Sequence, residues 1–174
     1  MKRTFDFGKV NSVDDLAGAN RPEPGHYHAQ ISAVEKDQER DDLIHVEFAV
    51  LAPDDTRGKR LNERFYLSEK AVPRFERMLL STGFAKPGAR LADPDFQGLV
   101  GRQCVIEVIS EEYEKDGETR TATKLSYKAT WPLGHPETKD VPRGEPFTAG
   151  NTPDKVTVRT STLDEPDGDE WSDF

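Results

Sequence analysis

Cysteine is nearly absent from this chain of 174 residues, which has only Cys104. A single thiol excludes an intrachain disulfide and any zinc site built from several cysteines. Cys104 lies in the apolar run at residues 103–108, which is typical of a buried strand. We therefore expect a core thiol rather than a nucleophile, and a reducing, cytoplasmic compartment.

Long apolar stretches are also missing. No run approaches the ~20 residues that a membrane-spanning helix needs, and residues 1–7 lack the apolar core of a secretion signal. Hydrophobic residues make up 34% of the chain and charged residues 33%, which suits one compact core with peripheral segments. The sequence thus predicts a cytoplasmic protein with a single folded domain.

Motifs of catalysis are missing too, since the chain has no glycine-rich phosphate loop and no serine elbow. His26 and His28 point the same way on a strand, but no cysteine is available to complete a metal site with them. Two carboxylate pairs are of the kind that a two-metal nuclease uses. Both lie in or beside predicted loops, so we interpret them as solvated acids. These pairs are Asp93 with Asp95 and Glu111 with Glu112. We expect no catalytic site, no metal and no cofactor.

The chain does have a strongly acidic C-terminus. Residues 164–174 contain six carboxylates and no base, and they end in an aromatic residue. The carboxylates are Asp164, Glu165, Asp167, Asp169, Glu170 and Asp173. We expect a solvated, disordered tail that is attracted to a basic patch on a partner protein and anchors there through Trp171 and Phe174. The alternative is an acidic tail whose aromatic residues are incidental.

The net charge of −9 comes from 24 basic and 33 acidic residues. A net negative charge opposes binding to a polyanion such as nucleic acid. Without the six tail acids, however, 27 acids stand against 24 bases, and the rest of the chain carries only −3. The distribution of the bases over the surface therefore matters more than the total charge.

Apolar periodicity predicts three strands, a helix and two further strands. The strands are predicted at residues 26–33, 43–51, 59–67, 101–113 and 119–131, and the helix has an apolar face of Val72, Phe75, Met78 and Leu79. This order predicts an all-β fold with one helix, specifically a five-stranded OB-fold barrel whose helix lies between the third and fourth strands. The predicted organisation is an N-terminal arm at 1–24, the OB-fold domain at 25–134, an extension rich in Pro, Gly and Thr at 135–163 with a short strand at 155–160, and the disordered tail at 164–174.

Two of the predicted strands carry cations on one face with no acid among them. Arg60, Arg64 and Tyr66 share a face of the third strand, and Arg120, Lys124 and Lys128 share a face of the fifth, opposite Leu125, Tyr127 and Trp131. A strip of five cations with a stacking ring is what a sequence-independent single-strand binder uses for phosphates and bases. The alternative is that these are ordinary solvent-facing residues of a barrel.

Four further residues are candidates for the same surface. They are His28 and His45 on the outward faces of the first two strands, Tyr113 at the turn after the fourth, and Trp131 if the last strand ends or bulges before it. Each has a plain structural alternative: a solvent-facing histidine, a tyrosine that packs on its turn, or a core tryptophan.

Four segments resemble those of a family of small phage single-stranded-DNA-binding proteins. The segments are PGHYHAQISAV at 24–34, GKRLNERFYL at 58–67, MLLSTG at 78–83 and LVGRQCVIEV at 99–108. The resemblance, which extends to the acidic tail ending in Phe, implies an OB fold and sequence-independent binding of single-stranded DNA. It also implies a role in phage DNA replication or recombination in the cytoplasm of the host bacterium. Residues 84–98 and 135–163 match no segment that we can place.

These expectations describe a protein that is not an enzyme and that binds single-stranded DNA on a basic strand face. Its tail would rest on that face without DNA and recruit replication or recombination proteins once DNA displaces it. The sequence leaves open a homodimer, the preference between DNA and RNA, and the site size. Two alternatives come from other classes: an acidic DNA mimic that inhibits or adapts a host enzyme, and a metal-dependent nuclease that uses the loop carboxylates.

Overall fold

Alternating apolar residues build five strands, and one helical repeat builds a helix between the third and fourth, as the sequence predicts. The computed structural model describes residues 20–148 and Gly8. The strands are β1 (Gly25–Lys36), β2 (Leu43–Ala52), β3 (Arg60–Tyr66), β4 (Gln103–Lys115) and β5 (Glu118–Trp131), and the helix is α1 (Val72–Ser81). The prediction of a mostly β fold with one helix is confirmed. The predicted strand at 155–160, the acidic tail and most of the N-terminal arm lie outside the described residues.

The strands form one antiparallel sheet in the order β3-β2-β1-β4-β5. The central strand, β1, pairs with β4 only as far as Val108, whereas β4 and β5 stay paired to their turn after Lys115. Beyond Val108 this hairpin therefore leaves the sheet as a two-stranded extension, which we call the β4–β5 arm (residues 109–124). Residues 110–121 of the arm are exposed, so its side chains are available to a ligand.

The inward face of the sheet and the apolar face of α1 form one hydrophobic core. Phe48 and Met78 are fully buried there, from β2 and α1 respectively. The Phe75 ring of α1 lies 5.6 Å from that of Phe65 on β3 and 5.2 Å from that of Phe96, so it connects the sheet to the loop before β4. Tilted and edge-on aromatic pairs at such distances add to the stabilisation that burial provides.

Local sequence accounts for where α1 begins and ends. Pro73 lies in its first turn, where a missing N–H leaves no helical hydrogen bond unmade. Gly83 follows Thr82, the C-cap residue of α1. It adopts φ +70°, a left-handed conformation that glycine tolerates best. The helix is therefore confined to the interval between β3 and β4.

Side chains join the two edge strands, β3 and β5. Glu63 of β3 accepts a hydrogen bond from the Leu125 N–H of β5 at 3.2 Å, and its other oxygen pairs with Arg74 of α1 at 3.2 Å. Arg74 also donates to the carbonyls of Leu125 and Ser126, at 3.3 and 3.1 Å. The side chains of Glu63 and Arg74 are only 14% and 18% exposed. We call this network the Glu63 bridge; it holds the two edges of the sheet together.

A segment after β5 crosses the outward face of the sheet; we call it the C-terminal strap (residues 132–148). The Gly144 N–H donates to Nδ1 of His28 at 2.9 Å. The Phe147 backbone donates to and accepts from the side-chain amide of Gln30, at 2.8 and 3.4 Å. The strap lies so close to the sheet that a Cβ at Gly144 would overlap a carbonyl oxygen of β2. The first part of the predicted extension is therefore packed on the domain.

Candidate nucleic-acid interface

The outward face of β3 carries one accessible cation and one accessible ring. Arg64 is exposed, lies opposite His45 of β2 and makes no ion pair within residues 20–148. Tyr66 is 38% exposed, and the Arg40 guanidinium lies 5.3 Å from its ring centre, a cation–π contact at the rim of the face. These residues are presented as the strand pattern predicts.

Arg60, near the start of β3, is offset by an acid. Its guanidinium pairs with Glu47 of β2 at 3.1 Å, and its side chain is only 14% exposed. Glu47 lies opposite Asn62 in the register and also accepts a hydrogen bond from Ser32 at 2.6 Å. No acid stands on this face of β3 itself, but the neighbouring strand supplies one. Arg60 therefore stabilises the sheet, and its charge is offset before any ligand binds.

One face of the β4–β5 arm carries the Tyr113 ring and three cations, Lys115, Arg120 and Lys124. Tyr113 lies directly opposite Arg120 and is 43% exposed. Lys124 pairs with Glu111 at 2.6 Å, and Arg120 pairs with Glu118 at 3.5 Å. All four charged side chains are at least 41% exposed, so these ion pairs stabilise the fold little and can exchange a carboxylate for a phosphate.

The Glu63 bridge relates the cations of β3 to those of β5. Arg64 follows Glu63 along β3, and Lys124 precedes Leu125 along β5. Because successive residues of a strand point to opposite faces, both cations lie on the face away from the bridged residues. Arg64 and Lys124 thus flank the bridge on the outward side of the sheet, although β3 and β5 are its opposite edges.

His28 and Trp131 are buried, contrary to the expectation that both would add to an exposed surface. β5 does bulge before Trp131 and turns its ring outward, but the C-terminal strap covers it, and its Nε1 donates to Glu137 at 3.0 Å. The two side chains are 2% and 3% exposed. His28 Nε2 bonds to Gln103 Oε1 at 2.8 Å, and its Nδ1 accepts the Gly144 N–H. Burial lowers the pKa of His28, which keeps the ring neutral as that acceptor role requires.

His45 lies on the outward face beside Arg64, as predicted, but it is bound to an acid. Its Nε2 lies 2.8 Å from the Asp37 carboxylate, and its side chain is 36% exposed. The hydrogen bond from His45 is the main cause that lowers the pKa of Asp37. His45 therefore borders the interface and orients the turn between β1 and β2.

The strand pattern also placed Tyr127 on the wrong face. Strict alternation puts it inward with Leu125, yet 80% of its surface is exposed. The cause is a bulge near the end of β5, where Ala129 adopts φ +60°. Because this conformation favours glycine and residue 129 is alanine, no local sequence signal marks the bulge. Lys128 is exposed, as predicted, and makes no ion pair within the described part of the chain.

Two other side chains considered for chemistry, Asp95 and Cys104, have structural roles. Asp95 accepts the Gln97 N–H and caps the short 3₁₀ helix Phe96–Leu99. Burial raises the pKa of the Cys104 thiol to about 12, so the reactive thiolate is not formed near neutral pH.

Across residues 20–148 no three His, Cys, Asp or Glu side chains are grouped to hold a metal. No helix in this range has the length and hydropathy of a membrane span.

Protein-family models and curated proteins offer no relative of this chain. No protein-family model matches the chain, and no curated protein matches it significantly. The resemblance to phage single-stranded-DNA-binding proteins therefore stays a hypothesis. The function has to be argued from the exposed residues of the β3 face and the β4–β5 arm, and from the charges that their neighbours offset.

Proposed function

We propose that residues 25–134 form an OB-fold domain that binds single-stranded DNA without sequence preference. The observation that carries this proposal is the placement of Arg64 and Lys124 on either side of the Glu63 bridge, with exposed rings nearby on the same elements, Tyr66 on β3 and Tyr113 on the β4–β5 arm. Cations for the phosphates and flat rings for the bases are the two requirements of such a site. Their combination is the most specific feature of the outward surface.

The strand order supports the OB fold. β1, β2 and β3 form a meander, α1 follows, and β4 returns to pair with the free side of β1 before β5 completes the sheet. This is the order of a five-stranded, partly open Greek-key barrel. In the proposed fold the Glu63 bridge replaces backbone pairing between the edge strands, which lets the sheet curl without complete closure.

The proposed path of the DNA crosses the outward face of β3 and continues along the β4–β5 arm. Arg64 is unpaired within residues 20–148, so it binds a phosphate without first breaking an ion pair. Lys124 and Arg120 exchange Glu111 and Glu118 for phosphates, which costs little because these pairs are exposed. Arg60 and His45 border the path, whereas the buried His28 and Trp131 position the C-terminal strap.

We further propose that the protein acts in phage DNA replication or recombination, as the resemblance implies. Residues 164–174 would recruit proteins of those processes and compete with DNA for the basic residues, because six carboxylates mimic a polyanion. A DNA mimic needs acids in excess over the folded surface. Here several outward acids are paired with bases instead, such as Glu47 with Arg60 and Glu111 with Lys124, which favours the binding interpretation.

The test is fluorescence anisotropy of the full chain with labelled oligo-dT across a salt series, with duplex of equal length as the control. We expect single-strand binding that weakens steeply with salt, since each neutralised phosphate contributes about −0.7 to the slope of log K against log salt. Arg64→Ala and Lys124→Ala should each reduce the slope by about 0.7. Arg90→Ala, at an exposed position in the loop after α1, is the matched control and should change neither slope nor affinity.

Deletion of residues 164–174 belongs to the same experiment. The truncated chain should bind oligo-dT more tightly at low salt, because the competing carboxylates are gone. Unchanged affinity would refute the competition but not DNA binding. No binding of the full or truncated chain to oligo-dT at low salt would refute the proposed function and leave the acidic mimic as the better explanation.

A further inference from the structure

β5 departs from regular pairing near its end. Leu125 pairs with Val108, and Thr130 pairs with Ile106. The four residues 126–129 therefore lie opposite a single residue of β4. A β-bulge of this kind bends its strand and redirects the side chains within it, and bulges are frequent beside functional sites.

Hydrogen bonds hold this bulge in one conformation. Ser126 Oγ accepts the Ala129 N–H at 3.1 Å, and Ala129 adopts φ +60°, which a residue with a side chain keeps only where its surroundings enforce it. Arg74 donates to the carbonyl of Ser126 at 3.1 Å, and Arg77 donates to that of Thr130 at 2.9 Å. Two arginines of α1 thus fix both ends of the bulge, so the side chains at its tip have a defined direction.

The bulge presents Tyr127 and Lys128 to water. Tyr127 is 80% exposed, more than any other large apolar or aromatic side chain in the described part of the chain. Beside it lies an open depression of about 580 Å³, lined also by Trp131 and His26, whose ring centres are 5.4 Å apart. Strict alternation would have buried Tyr127. Instead the bulge, whose backbone is strained, exposes its ring to water.

Charges around the depression favour an uncharged ring over a phosphate. Glu107 and Glu137 line it; the first carboxylate lies 3.8 Å from His26, and the second accepts the Trp131 Nε1–H. Two carboxylates repel a phosphate but accept hydrogen bonds from the N–H groups of a base. Among residues 20–148, Lys128 is the one lysine or arginine that lines the depression, and it is exposed for a neighbouring phosphate.

We infer that Tyr127 stacks on a base of single-stranded DNA and that Lys128 binds an adjacent phosphate. This inference rests on the proposed function and adds a contact to it on the bulge of β5. Stacking on an exposed ring accepts any base, which agrees with binding that does not depend on sequence. The bulge fixes the backbone at Tyr127 before DNA binds, so little backbone freedom is lost on binding.

The test uses the full chain and oligonucleotides that carry 2-aminopurine, a base whose fluorescence falls when it stacks. The wild-type protein should quench this signal. Tyr127→Ala should weaken binding by about 5- to 150-fold, relieve the quenching and leave the salt slope unchanged. Tyr127→Phe, which keeps the ring, should retain affinity and quenching.

A second variant tests the phosphate contact. Lys128→Ala should reduce the salt slope by about 0.7. Its control is Lys86→Ala, because Lys86 is also exposed but lies in the loop after α1.

Each outcome decides between the two proposals. If the wild type binds and Tyr127→Ala keeps its affinity and quenching, the inference is overturned and the proposed function stands. If Tyr127→Phe loses as much affinity as Tyr127→Ala, the hydroxyl rather than the ring face makes the contact, and stacking is overturned. If the wild type fails to bind at low salt, both are overturned. Because Tyr127 is exposed, an unchanged thermal unfolding curve checks that the variants are folded.

Discussion

Substitution of Glu63 by alanine should destabilise the domain far more than the loss of an acidic residue from an edge strand usually does. The change removes the partner of Arg74 and leaves the Leu125 N–H without an acceptor. Breaking a buried ion pair costs roughly 3–5 kcal/mol, and an exposed pair contributes about 0–1 kcal/mol. Because the two side chains are 14% and 18% exposed, the ion pair lies nearer the buried limit. Arg74 keeps its bonds to two carbonyls, so we expect a loss of about 2–4 kcal/mol.

The exposed pair between Glu111 and Lys124 is the matched control. The Lys124 nitrogen lies 2.6 Å from a Glu111 oxygen, whereas the distance between Arg74 and Glu63 is 3.2 Å. The side chains of Glu111 and Lys124 are, however, 54% and 41% exposed. Solvent screening should outweigh the shorter distance, so Glu111→Ala should cost at most about 1 kcal/mol. Glu63→Gln keeps an acceptor for the Leu125 N–H but loses the charge, and it should cost roughly 1–2 kcal/mol.

Chemical and thermal unfolding measure these differences. For a domain of this size a loss of 1 kcal/mol lowers Tm by roughly 4 °C, so Glu63→Ala should lower it by about 8–16 °C. The double variant Glu63→Ala/Arg74→Ala should show strong coupling in a mutant cycle. A loss below about 0.5 kcal/mol for Glu63→Ala, or one no larger than that of Glu111→Ala, would show that the Glu63 bridge does not hold the sheet edges together.

Two further predictions concern the C-terminal strap. Burial lowers the pKa of His28, and the nearby Arg143 and Arg57 lower it further, although the hydrogen bond to Gln103 acts in the opposite direction. The unfolded chain therefore binds a proton at this histidine more readily than the folded chain does. The stability that His28 contributes should be complete above about pH 6.5. It should decline as the pH falls below that value, by at most about 1.4 kcal/mol per pH unit. Denaturant titrations measure this decline, and the same decline in His28→Gln would contradict the prediction. Gly144→Val should displace the strap, because its Cβ would overlap the Leu51 carbonyl oxygen, and limited proteolysis should then cut near residue 144. Glu145→Ala, which keeps the neighbouring backbone, should resist cleavage like the wild type, and equal resistance of Gly144→Val would refute the close packing.

Most of the fold could be predicted from local patterns. Alternation identified the inward residues of β1, β2 and β3, such as Ile31, Phe48 and Phe65, which are all buried. Helical spacing identified Phe75 and Met78 as the face of α1 that packs on them. These predictions succeed because burial against one core requires a period of two in a strand and about 3.6 in a helix, whatever the partner surface is.

The candidate site could be predicted only in part. Arg64 is exposed, as the pattern of β3 indicates. Tyr113 is exposed too, but it lies within β4 rather than at the turn where the sequence placed it. The pattern could not show that Glu47 offsets Arg60, because that ion pair depends on the pairing of two strands. Charges on neighbouring strands decide which cations remain available to a phosphate.

The sequence by itself determined which face of each strand is apolar, because that property belongs to adjacent residues. Only the tertiary structure decided which outward residues meet water. His28 is buried because Gly144, 116 positions later, packs against it in the C-terminal strap. Tyr127 is exposed because Arg74, on a different element, holds the bulge that turns it outward. Both effects arise from contacts between residues far apart in the chain, which local periodicity does not encode.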